Sequence, residues 1–265
     1  MQQVAVIQLS SQADIHCNLA EIRLLLREAK ECGAVLALLP EMCLSMDGRQ
    51  YQNIAADPSY AAQLAEWAQE FGLWLVAGAI PMPSPDSDTR IRSACLVFDD
   101  QGRQVARYDK IHLFDVDVGD AQGRYRESER FAPGDQAVVV DTPAGRLGLV
   151  ICYDLRFPGL FQRLRDMGAE LISVPAAFTY KTGEAHWQVL LRARAIETQC
   201  YILAANQCGW HDDKRQTWGH SQIIDPWGDV LMELQHEPGI GLAGTDRQRV
   251  AEIRCRMPVM EHKRF

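Results

Sequence analysis

Short apolar runs alternate with helix-period segments along this whole chain, and that alternation confines it to α/β architectures. Residues 4–9 (Val-Ala-Val-Ile-Gln-Leu) and 35–39 (Val-Leu-Ala-Leu-Leu) read as buried strands. Residues 18–29 have helical periodicity, with Leu19, Ile22, Leu24, Leu25 and Leu26 assigned to one face. Residues 60–71 read as a second helix, 73–80 as a strand closed by Pro81, and 93–99 with 104–109 as a hairpin turning at Asp100-Gln101-Gly102. After a charged, glycine-containing loop at about 114–135 a second cycle begins. It comprises strands 137–141 and 146–152, helix 158–167, strand 171–175, helix 184–198, strand 201–206 and a hairpin over 221–234. Two strand–helix cycles without a linker or low-complexity segment predict one α/β domain over residues 1–265, with two sheets covered by helices.

Charge and cysteine usage remove several function classes. Lys and Arg number 27 against 35 Asp and Glu, a net charge of −8 that argues against nucleic-acid partners and anionic membranes. No apolar run approaches the roughly 18 residues of a membrane span. The first ten residues lack a basic start and read as a strand, not a signal peptide. Eight cysteines contain no CxxC pair, and seven histidines no HExxH, so no metal site is predicted. The chain is expected in the cytoplasm with its thiols reduced. Gly239, Gly241 and Gly244 fit GxGxxG, but only 21 residues follow, too few for the βαβ unit of a dinucleotide site; they read as an irregular final strand. Gly219-His220-Ser221 lacks the closing glycine of a nucleophile elbow.

Three reactive side chains each follow an apolar or hairpin strand. Cys152 ends Gly148-Leu-Val-Ile151 before Arg156-Phe157-Pro158 turns the chain into a helix; Glu41 follows Leu38-Leu39-Pro40; Lys110 follows Arg107-Tyr108-Asp109. Sites in α/β folds gather beyond the carboxyl ends of strands, so the three can converge. Their chemistry is coherent. A thiol of pKa about 8.5 is mostly protonated at neutral pH and needs a base or a nearby cation. A partly desolvated Glu41 would accept its proton. Lys110 would stabilise the thiolate and the oxyanion of a tetrahedral intermediate. Taken singly, each has a structural alternative: a core thiol, a helix-capping or arginine-paired carboxylate, a snorkelling lysine.

Together these segments resemble the nitrilase superfamily of carbon–nitrogen hydrolases, through Leu39-Pro-Glu41, Tyr108-Asp-Lys110-Ile-His-Leu-Phe-Asp115 and Gly148 to Pro158 around Cys152. The resemblance spans essentially the whole chain. It implies a four-layer αββα sandwich, a symmetric homodimer and amide hydrolysis without a cofactor. It assigns Glu41 as general base, Lys110 as oxyanion stabiliser and Cys152 as nucleophile forming a thioester while ammonia or an amine leaves. Tyr125-Arg-Glu127-Ser128 resembles the superfamily's second-glutamate loop, so Glu127 would orient Lys110 and substrate; its alternative is a solvated loop charge. The N–H of Tyr153 would be a second oxyanion donor.

Residues 175–187, which include Phe178, Thr182 and His186, resemble the substrate-pocket loop and helix entry of the small-amide branches, with 192–201 and 218–228 continuing the match. They most resemble the deaminated-glutathione amidase branch. ω-Amidase acting on 2-oxoglutaramate is the neighbouring alternative, and N-carbamoyl amino acid hydrolysis a more distant one. Both nearer substrates are acidic, and Arg156 is the expected pocket cation, its alternative being a salt bridge to Asp154. Glu184 stands where members commonly carry proline, which would alter that helix start. A non-catalytic binding scaffold of the same fold is the contrasting class; such a protein is expected to lose one of the three reactive residues, and all are present.

Overall fold

Strand Gln2–Gln8 shows how the chain builds its layers. Its side chains alternate, as a strand requires, but both faces are apolar: Val4 and Val6 enter one buried cluster, Ala5 and Ile7 another. The neighbouring strand repeats the pattern, Leu36 and Leu38 on one side and Ala37 and Leu39 on the other. A sheet apolar on both faces must be covered twice. The computed structural model, which describes residues 1–85 and 89–264, shows both covers.

The first sheet runs in the order Gly239–Thr245, Gln2–Gln8, Leu36–Leu38, Trp74–Val76, Arg92–Phe98, Ile80–Met82, with Gln104–Asp109 also paired to Arg92–Phe98. The second runs Val230–Glu233, Gln222–Ile224, Tyr201–Asn206, Leu171–Ala176, Gly145–Leu149, Val138–Thr142. Each has a parallel centre and antiparallel margins. The sheets face each other where Gln2–Gln8 meets Tyr201–Asn206 and Gln104–Asp109 meets Val138–Thr142. Helices Ile15–Glu31 and Ser59–Phe71 cover the first sheet, and Pro158–Asp166 and Tyr180–Thr198 the second. The expected αββα sandwich is present.

Several boundaries differ from the sequence expectation. The first helix begins at Ile15 because the Asp14 carboxylate accepts from His16 N at 2.9 Å and Cys17 N at 3.2 Å, a side-chain cap. Leu24 points to solvent, since at 3.6 residues per turn it lies opposite buried Ile22 and Leu26. The helix expected from Glu184 starts at Tyr180, so Glu184 lies inside it as an exposed residue. Gly239–Thr245 is a regular strand in seven-pair antiparallel register with Gln2–Gln8, not an irregular one. The sequence reading also lacked helix Arg247–Arg256: only Val250 and Ile253 of its ten residues are buried, too little apolar signal to register.

The strand expected over 73–80 divides into Trp74–Val76 and Ile80–Met82 at Gly78, whose φ is +63°. A Cβ at Gly78 would run into the carbonyl oxygens of Pro40 and Leu39. This close approach lets Met42 N donate to Ala79 O at 2.7 Å and fixes the backbone on both sides of Glu41. Gly78→Ala is therefore expected to lower stability by about 1–3 kcal/mol, read as a lower denaturation midpoint in urea, with reactivity lost at the adjoining site. An unchanged midpoint would mean that the backbone contact is dispensable.

Candidate active site

Glu41, Lys110 and Cys152 come from separate segments and meet beneath one cavity of about 410 Å³. Lys110 leaves the hairpin strand Gln104–Asp109 with its N–H bonded to Ser93 O at 2.9 Å. Its ammonium donates to Glu41 Oε1 at 2.8 Å and to Glu127 Oε1 at 2.9 Å. The other oxygen of each carboxylate is also occupied: Ala177 N donates to Glu41 Oε2 at 3.0 Å, and Phe114 N to Glu127 Oε2 at 2.7 Å. Gln207 Nε2 holds the Glu41 carbonyl at 3.0 Å. Neither buried carboxylate depends on water for a partner.

Cys152 lies three residues beyond strand Gly145–Leu149, not at its last position. It opens a 3-10 turn, Cys152–Arg156, with φ +44°. A non-glycine residue there costs roughly 1–2 kcal/mol, a strain typical of functional positions. Asp154 holds the turn in place. Its Oδ2 accepts from Tyr108 Oη at 2.7 Å and Ile151 N at 2.9 Å, and its Oδ1 meets His112 N at 3.0 Å and His112 Nδ1 at 2.7 Å. His112 stacks on Phe157 with centroids 3.6 Å apart. One buried carboxylate thus joins the thiol's turn to the segment that carries Lys110. Sequence reading treated Asp154 only as a partner for Arg156; apart from Ile151 N its partners, Tyr108 and His112, lie more than forty residues away and leave no local signal.

The electrostatics define the resting state. Burial works against the Lys110 ammonium, yet Glu127 and Glu41 hold its pKa well above the usual lysine value. Burial raises the Glu127 carboxyl, with Lys110 opposing and Glu41 adding to the rise. The Cys152 thiol is pushed well up, by burial first and by the Glu41 carboxylate second, against the pull of Lys110. Lys110 therefore does not sustain a thiolate at rest as the sequence suggested; burial and the Glu41 charge together favour the protonated thiol.

Tyr153, Phe178 and Thr182 line the cavity. Tyr153 meets Phe114 edge-on at 5.0 Å, and Phe178 N is held by Asn206 Oδ1 at 2.9 Å. Arg156 and His186 are not in the lining. In a 3-10 turn residues three apart eclipse, so Arg156 stacks behind Tyr153, its guanidinium 5.8 Å from that ring and 5.2 Å from Phe178. There Arg156 Nη1 contacts His186 Nδ1 at 3.2 Å, while Asp154 serves other partners. Arg215, which sequence reading passed over, does line the cavity. It follows Asp212-Asp213-Lys214, a run that reads as a solvated loop.

Comparison with known proteins gives the family of the chain. Residues 3–255 match the carbon–nitrogen hydrolase family. The chain is 46% identical to the deaminated glutathione amidase of Yersinia enterocolitica, over 99% of this chain and 93% of that protein. It is 41% identical to that of Homo sapiens, over 98% and 82%. The fold of the NitFhit protein of C. elegans superimposes with a TM-score of 0.93 at 38% identity, covering 99% of this chain and 65% of that one. An amidase from Nesterenkonia sp. AN1, solved with acrylamide added to its active site cysteine, gives 0.81 at 26% identity, over 98% and 99%. The chain belongs to the carbon–nitrogen hydrolase family and is an enzyme of the nitrilase superfamily.

Because Glu41 favours the protonated thiol, neutralising it should make Cys152 ionise more readily. A thiol with a raised pKa forms thiolate only as pH climbs through that value. Glu41→Gln should therefore move the pH profile of Cys152 alkylation by iodoacetamide down by about one pH unit or more, while amide turnover falls about 10²- to 10⁴-fold. An upward or absent shift would contradict the resting state described.

Proposed function

We propose that this carbon–nitrogen hydrolase is a deaminated glutathione amidase, cleaving the amide of a 2-oxoglutaramyl group through a thioester on Cys152. The single observation that carries the reading is the meeting of a thiol, a hydrogen-bonded carboxylate and a buried ammonium under one cavity. The substrate choice is supported by the relatives bearing that name at 46% and 41% identity.

In this reading the thiol proton passes to Glu41 as Cys152 sulfur attacks the amide carbon. The carbonyl oxygen gains negative charge and is met by the Lys110 ammonium and the N–H of Tyr153. Glu41 returns the proton to the nitrogen, and ammonia or an amine leaves with the C–N bond broken. Water then adds to the thioester as Glu41 takes its proton, the C–S bond breaks to release the carboxylic acid, and Glu41 returns the proton to Cys152 sulfur, restoring the thiol. Glu127 is a positioning residue: fixed by Phe114 N, it keeps the ammonium from following Glu41 through its protonation changes. Atoms and charges balance with water alone, so the mechanism calls for no cofactor.

The same reading takes residues 1–265 as one catalytic domain acting as a symmetric homodimer in the cytoplasm, with no nucleic-acid or membrane partner. All eight cysteines are unpaired, as a reducing compartment favours. Among the described residues no helix is long and apolar enough to cross a membrane.

Cys152→Ala is expected to lower hydrolysis of deaminated glutathione by more than about a thousandfold while leaving the fold intact by circular dichroism. Mass spectrometry should trap an acyl adduct on Cys152 in the parent protein. A higher kcat/KM for 2-oxoglutaramate than for deaminated glutathione would reassign the enzyme as an ω-amidase, and preference for N-carbamoyl amino acids would reassign it further. Absence of adduct and turnover across the panel would favour a binding scaffold.

A further inference from the structure

The cavity is walled by five cationic side chains, and sorting them by partner leaves one half-buried cation unmatched. Lys110 is shared by Glu41 and Glu127. Arg126 pairs with Asp117 at 2.9 Å and also donates to two carbonyls. Arg124 is exposed beside Glu129 at 3.7 Å, and Arg130 is exposed at the rim. Arg215 differs from all of these. Among the described residues no carboxylate lies within ion-pair distance of it. Its Nε is sealed from solvent without a hydrogen-bond partner, and the Tyr51 hydroxyl lies beside its guanidinium on the cavity wall.

The surroundings hold this guanidinium in place and leave it unneutralised. Asp212, the nearest acid in its loop, turns Oδ1 toward the backbone N–H groups of Lys214 and Arg215, each at 2.7 Å, and is itself exposed. His211 N donates to Arg215 O at 3.0 Å, closing the loop. The His211 ring is fixed between Ser11 O at 2.8 Å and Thr217 Oγ1 at 2.7 Å. Tyr125 shares the wall, and its hydroxyl is engaged by Asp120 Oδ2 at 2.8 Å. A partly desolvated cation gains from a partner, and a guanidinium fork fits a carboxylate bidentately.

We propose that Arg215, with the Tyr51 hydroxyl beside it, is an anion subsite that receives a carboxylate of the substrate while its amide lies over Cys152. This role belongs to Arg215 and not to Arg156, which stacks behind the aromatic wall. It makes Arg215 a specificity-determining residue, and it rests on the amidase reading above for the identity of the substrate. Two carboxylates of deaminated glutathione share the required chemistry: that of the 2-oxo acid and that of the terminal glycine.

The test is a substrate–residue cycle. Kinetics of Arg215→Gln and Arg215→Lys are measured on deaminated glutathione, its terminal carboxamide and its 2-oxo-acid methyl ester. For the intact substrate Arg215→Gln should raise KM about 10- to 150-fold, with kcat changed far less and Arg215→Lys intermediate. The penalty should vanish for the one analogue that already lacks the carboxylate bound, which identifies it. An equal loss on all three substrates, or none, would overturn the subsite. Calorimetric binding of 2-oxoglutarate and of cysteinylglycine, which carry the two carboxylates separately, to Cys152→Ala and to Cys152→Ala/Arg215→Gln separates this from failure of the functional reading. If the parent protein turned over none of the three, that reading would fall, and loss of affinity for either ligand on removing Arg215 would still support the anion site. Equal binding of both ligands by the two proteins, or no binding of either ligand by either protein, would overturn it. Should Arg215→Gln not fold, the Lys variant carries the same comparison with the cation retained.

Discussion

The shared ammonium of Lys110 is the interaction on which the site depends. Two buried carboxylates close together would repel each other and protonate; a single cation between them, 2.8 Å and 2.9 Å away, permits the pair. Removing one member of such a buried set typically costs about 3–5 kcal/mol, because the remainder is left uncompensated. Two backbone N–H groups, of Ala177 and Phe114, complete the set. The consequence for Cys152 is direct. With two carboxylates against one ammonium, a thiolate would add negative charge to a site that already lacks positive charge. The thiol therefore keeps its proton until an approaching carbonyl provides somewhere for the charge to go.

Holding that cluster together is the work of the two facing sheets. Lys110 comes from the first sheet's hairpin, Glu41 from a bridge beside Ala79, and Cys152 from the turn after a strand of the second sheet. Their relative positions are set by long-range polar links: Asp154 with Tyr108 and His112, and Gln207 with Glu41 and Ser11. These links are buried and fully paired, the condition under which polar networks make a structure rigid. The αββα arrangement therefore does more than bury apolar area. It brings the ends of strands from both sheets to one place.

What the sequence revealed and what it hid divide along the same physical line. Strands with both faces apolar are conspicuous, and so are reactive residues just beyond them, so the fold and Glu41, Lys110 and Cys152 were readable. Their juxtaposition with Glu127 was readable through family resemblance. Features that depend on contacts between distant segments were not. Asp154 looked like half of a local pair with Arg156, and Arg156 looked like the pocket cation because it is four residues from Cys152. The 3-10 turn decides otherwise, placing Tyr153 on the wall and Arg156 behind it. Arg215 sits in a polar run that looks solvated, and only the folded chain shows it on the cavity wall.

An acidic substrate also has to enter a protein of net charge −8. Overall charge acts weakly here, because at physiological salt exposed charges are screened beyond about 8 Å. The charges that count are those lining the cavity, where Lys110, Arg124, Arg126, Arg130 and Arg215 outnumber Glu41, Glu127 and Glu129. Within this group depth assigns different work. Exposed Arg124 and Arg130 at the rim can attract an anion but hold it loosely, since surface pairs are weak. Arg215 lines the cavity with no carboxylate of the described residues in ion-pair distance, and gains most from one that arrives with the substrate. A cavity built this way favours an anionic amide over a neutral one at binding, before Cys152 engages either.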